Sequence, residues 1–274
     1  MNGKNIESLL SKDEQQIISI IRFFSMFLII LCHYVGWFPR IAWTSQLFNV
    51  GVPLFFIISG FLYGSKQILS TKLFYIKRFK RIIVPLYVYY IIMIIVLNLL
   101  NIIGNINIIN VMKVILCIHG FTFGGGIGNV ITAHLWFISY ILLCYLFTPL
   151  LQNIKGHFPL RYIIAIFIDM CVFINTIMVL LEPPQFMVWF VGVVSYCIAY
   201  YIGKNRHFLC YTFNRFIFCM FGVVLTLILR LIFKKYLDSE DFLGKIYSRC
   251  IAIDLHCILA FFIFFFIILF LKTI

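Results

Sequence analysis

The 274 residues are 64% hydrophobic and only 11% charged, against roughly a quarter charged in soluble domains; a soluble fold of this size has no interior large enough for that apolar surface, which leaves the bilayer as its solvent. The formal net charge is +13, and its placement in short stretches between apolar runs assigns it to the cytoplasmic face and anionic lipid, not to nucleic acid. Nine cysteines are scattered without a Cys-x-x-Cys pair, so they read as small apolar residues and exclude a disulfide framework or a zinc site.

The chain opens on a polar stretch, 1–16, with Lys4, Glu7, Lys12, Asp13 and Glu14. The first apolar run, 17–38, is long enough to cross a bilayer and no small-residue cleavage site follows it, so it is expected to stay in the protein. Further runs at 47–64, 82–103, 135–152, 162–181, 186–203, 216–233 and 250–271 bring the total to about eight spans. The expected fold class is all-α: a polytopic transmembrane helical bundle of about eight spans in one domain, 1–274.

Orientation follows from the basic residues. Lys66, Lys72, Lys77, Arg78, Lys80 and Arg81 form the densest cluster, in the expected loop between the second and third spans, and this places that loop in the cytoplasm. Counting outward puts both termini inside, along with Lys155, Arg161, Lys204, Arg206, Arg215 and Lys272. The stretch 234–249, with Lys234, Lys235, Lys245 and Arg249, is the exception on the outer side. The segment 104–133 is apolar in part but short and broken by asparagines and Lys113, and is expected to be a re-entrant or interfacial helix outside. Within it the glycine-rich Gly120–Gly128 lacks the Lys-Ser/Thr ending of a phosphate loop and reads as a flexible lid.

Ionisable groups inside spans are costly and point to function. Arg22 and His33 share the first span, eleven residues apart. At 100° per residue they fall within about 20° of one face, separated by roughly 16 Å of rise. Arg22 then sits toward the cytoplasm and His33 toward the outer half. His134 opens the fourth span beside Trp136. His119, His157 and His207 read as surface residues. His256 and Asp254 are two residues apart and do not share a helix face, and Asp254 and Asp169 are expected to pair structurally, with a histidine, Arg22 or Arg230 among the candidates. The basic run 75–85 serves either as positive-inside charge or as a grip on an anionic ligand, where arginine forks match phosphate oxygens. Trp37, Trp43, Phe121 and Phe123 read as interfacial anchors or as platforms for sugar rings.

Four stretches resemble the membrane-bound acyltransferase 3 family, which includes bacterial O-acetyltransferases of lipopolysaccharide, capsule and exopolysaccharide. They are Arg22-Phe-Phe-Ser-Met-Phe-Leu-Ile-Ile-Leu-Cys-His33, Gly51-Val-Pro-Leu-Phe-Phe-Ile-Ile-Ser-Gly-Phe-Leu62, Lys77-Arg-Phe-Lys-Arg-Ile-Ile-Val-Pro85 and His134-Leu-Trp-Phe-Ile138. Beyond residue 150 only hydropathy continues the likeness. With about eight spans against the family's usual ten or so, the chain is expected to lack the last two family spans.

The resemblance implies an O-acyltransferase that moves an acyl group, acetyl first among the candidates, from cytoplasmic acyl-coenzyme A to a hydroxyl of a cell-surface glycan or lipid-linked saccharide. It implies residence in the bacterial cytoplasmic (inner) membrane among membrane lipid, with acyl-CoA (acetyl-CoA) as co-substrate and no metal. On that reading His33 is the general base on the acceptor or a transient acyl carrier. Arg22 holds the donor or stabilises negative charge on the acyl oxygen. Lys77, Arg78 and Arg81 dock the coenzyme phosphates, and His134 orients the acceptor or assists proton transfer. Ser59 and Gly60 allow close helix approach. The alternatives are a polysaccharide flippase or polymerase without acyl transfer, or a truncated, inactive family member.

Overall fold

The computed structural model of the chain describes residues 6–8, 10–101, 108–121, 135–154, 159–180, 190–205, 212–233 and 251–272. Among these the α-helices are α1 (Lys12–Val35), α2 (Ser45–Phe48), α3 (Gly51–Gly64), α4 (Thr71–Leu99), α5 (Ile108–Ile115), α6 (Trp136–Asn153), α7 (Leu160–Leu180), α8 (Phe190–Lys204), α9 (Phe213–Phe233) and α10 (Ala252–Leu271). The described residues are all-α apart from two three-residue strands, β1 (Ile6–Ser8) and β2 (Lys66–Ile68). Helices α1, α4, α6, α9 and α10 are long and apolar enough to cross a membrane, and α3, α7 and α8 supply shorter apolar stretches. The chain divides into two compact units, a larger one of α1–α3 with α7–α10 and a smaller one of α4–α6.

In the larger unit α1 starts earlier than hydropathy alone indicates. Ser11 caps it, with its hydroxyl accepting from the Glu14 amide at 3.2 Å while the Glu14 carboxylate accepts from the Ser11 amide at 3.1 Å. This reciprocal pair satisfies two otherwise orphaned donors, and Asp13 and Glu14 complement the positive end of the helix dipole. Its buried stripe, Ile18, Ile21, Ser25 and Leu28, follows the helical period. Ser25 donates to the Gly51 carbonyl at 2.7 Å and so pins α1 to the start of α3.

Helix α3 is buried on every side, so its face toward α8 is made of small residues. A Cβ at Gly60 would collide with the Tyr196 carbonyl, and one at Gly64 with the Tyr200 carbonyl. The pair at i and i+4 lets the two backbones touch, as small-xxx-small faces do in membranes. Ser65 adds a hydrogen bond to the Gly203 carbonyl at 3.1 Å. Around this contact Leu54, Ile57, Ile58, Phe61, Phe264 and Ile268 form the core. At its far end α10 returns to the start of α1, where Lys272 and Glu14 form an ion pair at 3.3 Å.

In the smaller unit α4 begins at Thr71, capped by Ser70. The basic run 77–81 was expected in a loop; it lies inside this helix. The physical reason is that lysine and arginine are good helix formers, and a cap seven residues upstream sets the boundary instead of the onset of the apolar run. Just past the end of α5, Cys117 adopts φ 55°, with Ile118 N–H donating to Lys113 O at 2.9 Å and Cys117 N–H to Val114 O at 3.0 Å, the Schellman pattern usually closed by glycine. At eight residues α5 is too short to span. Tyr87 donates to the Ile115 carbonyl, and Tyr87 lies twelve residues, roughly 18 Å, back from the end of α4. Helix α5 therefore lies back along α4. Leu86, Tyr90, Leu97, Val114, Ile138 and Leu142 make the core between α4, α5 and α6.

Candidate functional site

In the larger unit Arg22 and His33 lie on one unbroken helix, α1. Arg22 is half-buried and His33 is exposed in the last turn, and Ile29, between them on the same flank, is half-buried. The flank borders the buried stripe, and the two side chains are separated along the axis by roughly 16 Å.

Beyond His33 the chain passes through a 3-10 turn, Ala42–Thr44, and α2 before entering α3. A side chain from the C-terminal helices bonds this connection, and a second one holds it in place. Arg230 on α9 is 5% exposed and donates through Nη1 to the Leu47 carbonyl at 3.4 Å. Its Nη2 lies 3.1 Å from His256 Nε2, and His256 Nδ1 bonds the Ala252 carbonyl. A carbonyl only accepts, so the proton of His256 is on Nδ1 and the Nε2 lone pair accepts from the guanidinium. His256 is therefore a neutral ring that orients Arg230. Asp254, for which a histidine or an arginine was among the expected partners, instead accepts from Asn175 Nδ2 on α7. The reason lies in the helix period, since Asp254 and His256 leave α10 in different directions. Asp169 is exposed on α7.

In the smaller unit the helical form of 77–81 groups the basic side chains. Lys77, Arg81 and Arg78 fall within an arc of about 100°, with Lys77 and Arg81 exposed and Arg78 half-buried. His134 lies outside the described residues, as does the expected lid past Phe121. His119, expected at the surface, is 5% exposed. Its Nε2 donates to the Leu135 carbonyl at 3.2 Å and lies 3.4 Å from the Tyr90 hydroxyl. Burial lowers the pKa of this imidazole below its ordinary 6.5, while the Leu135 carbonyl works in the opposite direction. The next residue, Gly120, donates its amide to Ser139 Oγ at 3.0 Å. Phe121 and Trp136 both pack edge-on against the fully buried Tyr140, at centroid distances of 4.8 and 5.8 Å.

Sequence reasoning assigned His119 to the surface because the polar break after Ile118 looked like an outer loop. Its amphipathic neighbour α5 was the available signal, since a helix with one apolar face brings its end onto whatever that face covers. The sequence names Arg230 only as a candidate partner for Asp169 or Asp254, and nothing local points to Leu47 or His256.

The family model described as an acyltransferase domain matches residues 16–274. No curated protein and no solved structure matches the chain. The family match runs through α7–α10 and so takes in the region where the motifs had stopped.

Proposed function

Because the chain belongs to the membrane-bound acyltransferase 3 family, and is by that membership a membrane acyltransferase, we propose that it transfers an acetyl group from cytoplasmic acetyl-coenzyme A to a hydroxyl of a cell-surface glycan, in the cytoplasmic membrane of a bacterium. The observation that carries this reading is the placement of Arg22 and His33 on one flank of a continuous α1.

Chemistry divides the two residues by distance. Their points of attachment on α1 are roughly 16 Å apart along the axis, which suits Arg22 to holding one part of an extended donor whose thioester reaches His33. Arg22 is thus assigned to gripping the coenzyme, with Lys77, Arg78 and Arg81 as phosphate ligands on the donor side. His33 takes the proton of the acceptor hydroxyl as its oxygen attacks the thioester carbonyl carbon. The tetrahedral intermediate then collapses, the C–S bond breaks, and the proton passes to the departing coenzyme thiolate. His134 serves the acceptor side. The family assignment favours this reading over a flippase, which needs neither a thioester-binding cation nor a base at a fixed spacing.

The test is mass spectrometry of surface glycans from cells carrying the unsubstituted protein or His33→Ala at equal membrane levels. Loss of the acetyl mass increment in the variant is the expected result; an unchanged glycan profile removes His33 from the reaction.

A further inference from the structure

The C-terminal helices carry a buried cation for which the transfer scheme has no use. Arg230 stands in the last turn of α9, 5% exposed, in a segment apolar enough to cross the membrane. A guanidinium at that depth is costly and is retained where it does something. Its fork is divided between the Leu47 carbonyl at 3.4 Å and the lone pair of His256 Nε2 at 3.1 Å. The His256 ring is fixed in turn by the Ala252 carbonyl through Nδ1.

Leu47 belongs to α2, within the connection that runs from the last turn of α1, where His33 sits, to the first turn of α3. That connection is tied at its far end by Ser25 and Gly51 at 2.7 Å. Arg230 ties it again at Leu47, in α2. Helix α2 packs on the end of α1, where the Ser45 Cβ stands 4.0 Å from a Cβ placed on Gly36, the cap of α1. Helix α9 therefore holds the connection that leaves the imidazole end of α1, whereas Lys272 and Glu14 join α10 to α1 at the opposite end.

We infer that Arg230, aligned by His256, is a positioning residue for His33: it holds the α1–α3 connection against the last turn of α1 and so sets where the imidazole meets the acceptor and the thioester. The inference deepens the acyl-transfer reading and rests on it. Lysine cannot replace the fork, because a point charge does not span two acceptors in different directions. At position 256 glutamine keeps both an acceptor for Arg230 and a donor for Ala252, whereas phenylalanine fills the space and keeps neither.

The test uses membranes containing the full chain, radiolabelled acetyl-coenzyme A, and surface polysaccharide purified from cells lacking the protein. Arg230→Lys and His256→Phe are expected to lower kcat about tenfold or more, as small displacements of a reacting group do, with KM for acetyl-coenzyme A unchanged. His256→Gln is expected to restore most of kcat. Equal activity in the Phe and Gln variants, or an effect on KM alone, overturns the positioning role. Should the unsubstituted membranes transfer no acetyl group, the acyl-transfer reading fails, and positioning is read separately. A cysteine introduced by His33→Cys is then labelled with a membrane-impermeant maleimide, with and without Arg230→Met. A changed labelling rate supports the role, and an unchanged rate overturns it.

Discussion

His119 Nε2 and the Leu135 carbonyl meet at 3.2 Å, so a residue of the turn that follows α5 fastens the residue that immediately follows His134. The bond requires a proton on Nε2, which the neutral ring and the imidazolium both carry, and burial favours the neutral form by holding the pKa below the ordinary 6.5. A histidine whose folded pKa is depressed stabilises the fold fully above its unfolded value. The contribution is lost as pH falls below 6.5 toward the folded value, because the unfolded chain takes up the proton first. Thermal unfolding in detergent at pH 7.5 and at pH 5 is expected to show a larger acid-induced drop in Tm for the unsubstituted protein than for His119→Gln, which keeps a donor and does not titrate. Equal drops would remove His119 as the source of acid sensitivity.

Helices α3 and α8 touch backbone to backbone at Gly60. Adding a methyl group there meets the Tyr196 carbonyl, which has no flexible end to move aside. Gly60→Ala is expected to destabilise by about 1–3 kcal/mol, the usual range for overpacking. Gly36→Ala serves as the comparison, because its nearest neighbour stands at 3.4 Å and demands no shift. Denaturation midpoints of the two variants in the same detergent check the contrast.

Asn175 and Asp254 join α7 to α10 across 79 residues of sequence. Asn175→Ala removes the donor from a partly buried carboxylate and is expected to cost about 1–3 kcal/mol. Asp254→Asn keeps an acceptor oxygen and should fall well short of that loss. If the pair is structural, both variants retain acetylation per folded molecule, as read by glycan mass spectrometry normalised to protein level.

The donor side separates from the acceptor side in kinetics. Arg81→Ala, on the exposed basic arc of α4, is expected to raise KM for acetyl-coenzyme A several-fold with kcat little changed, the signature of lost uniform binding. Added salt should weaken binding in the same direction, since exposed charges are screened. Arg22→Ala is expected to abolish transfer, with Arg22→Lys a poor rescue where a fork is needed. Equilibrium binding of radiolabelled acetyl-coenzyme A to the purified variants checks both.

The helices themselves were legible in the chain because an apolar run is a local property, and water or lipid sorts it wherever the rest of the protein goes. The shared flank of Arg22 and His33 was legible for the same reason, as arithmetic on a helix period. The start of α4 was misplaced because the apolar onset at residue 82 was taken as the boundary, while Ser70 and the basic run already satisfy a helix. Tertiary structure alone decided which polar side chains meet. Arg230 finds Leu47 across 183 residues of sequence, Asp254 finds Asn175, and His119 is buried because α5 folds back along α4. A buried polar group is satisfied by whatever the packing of distant helices brings within about 3 Å of it, and no pattern along one helix encodes that distance.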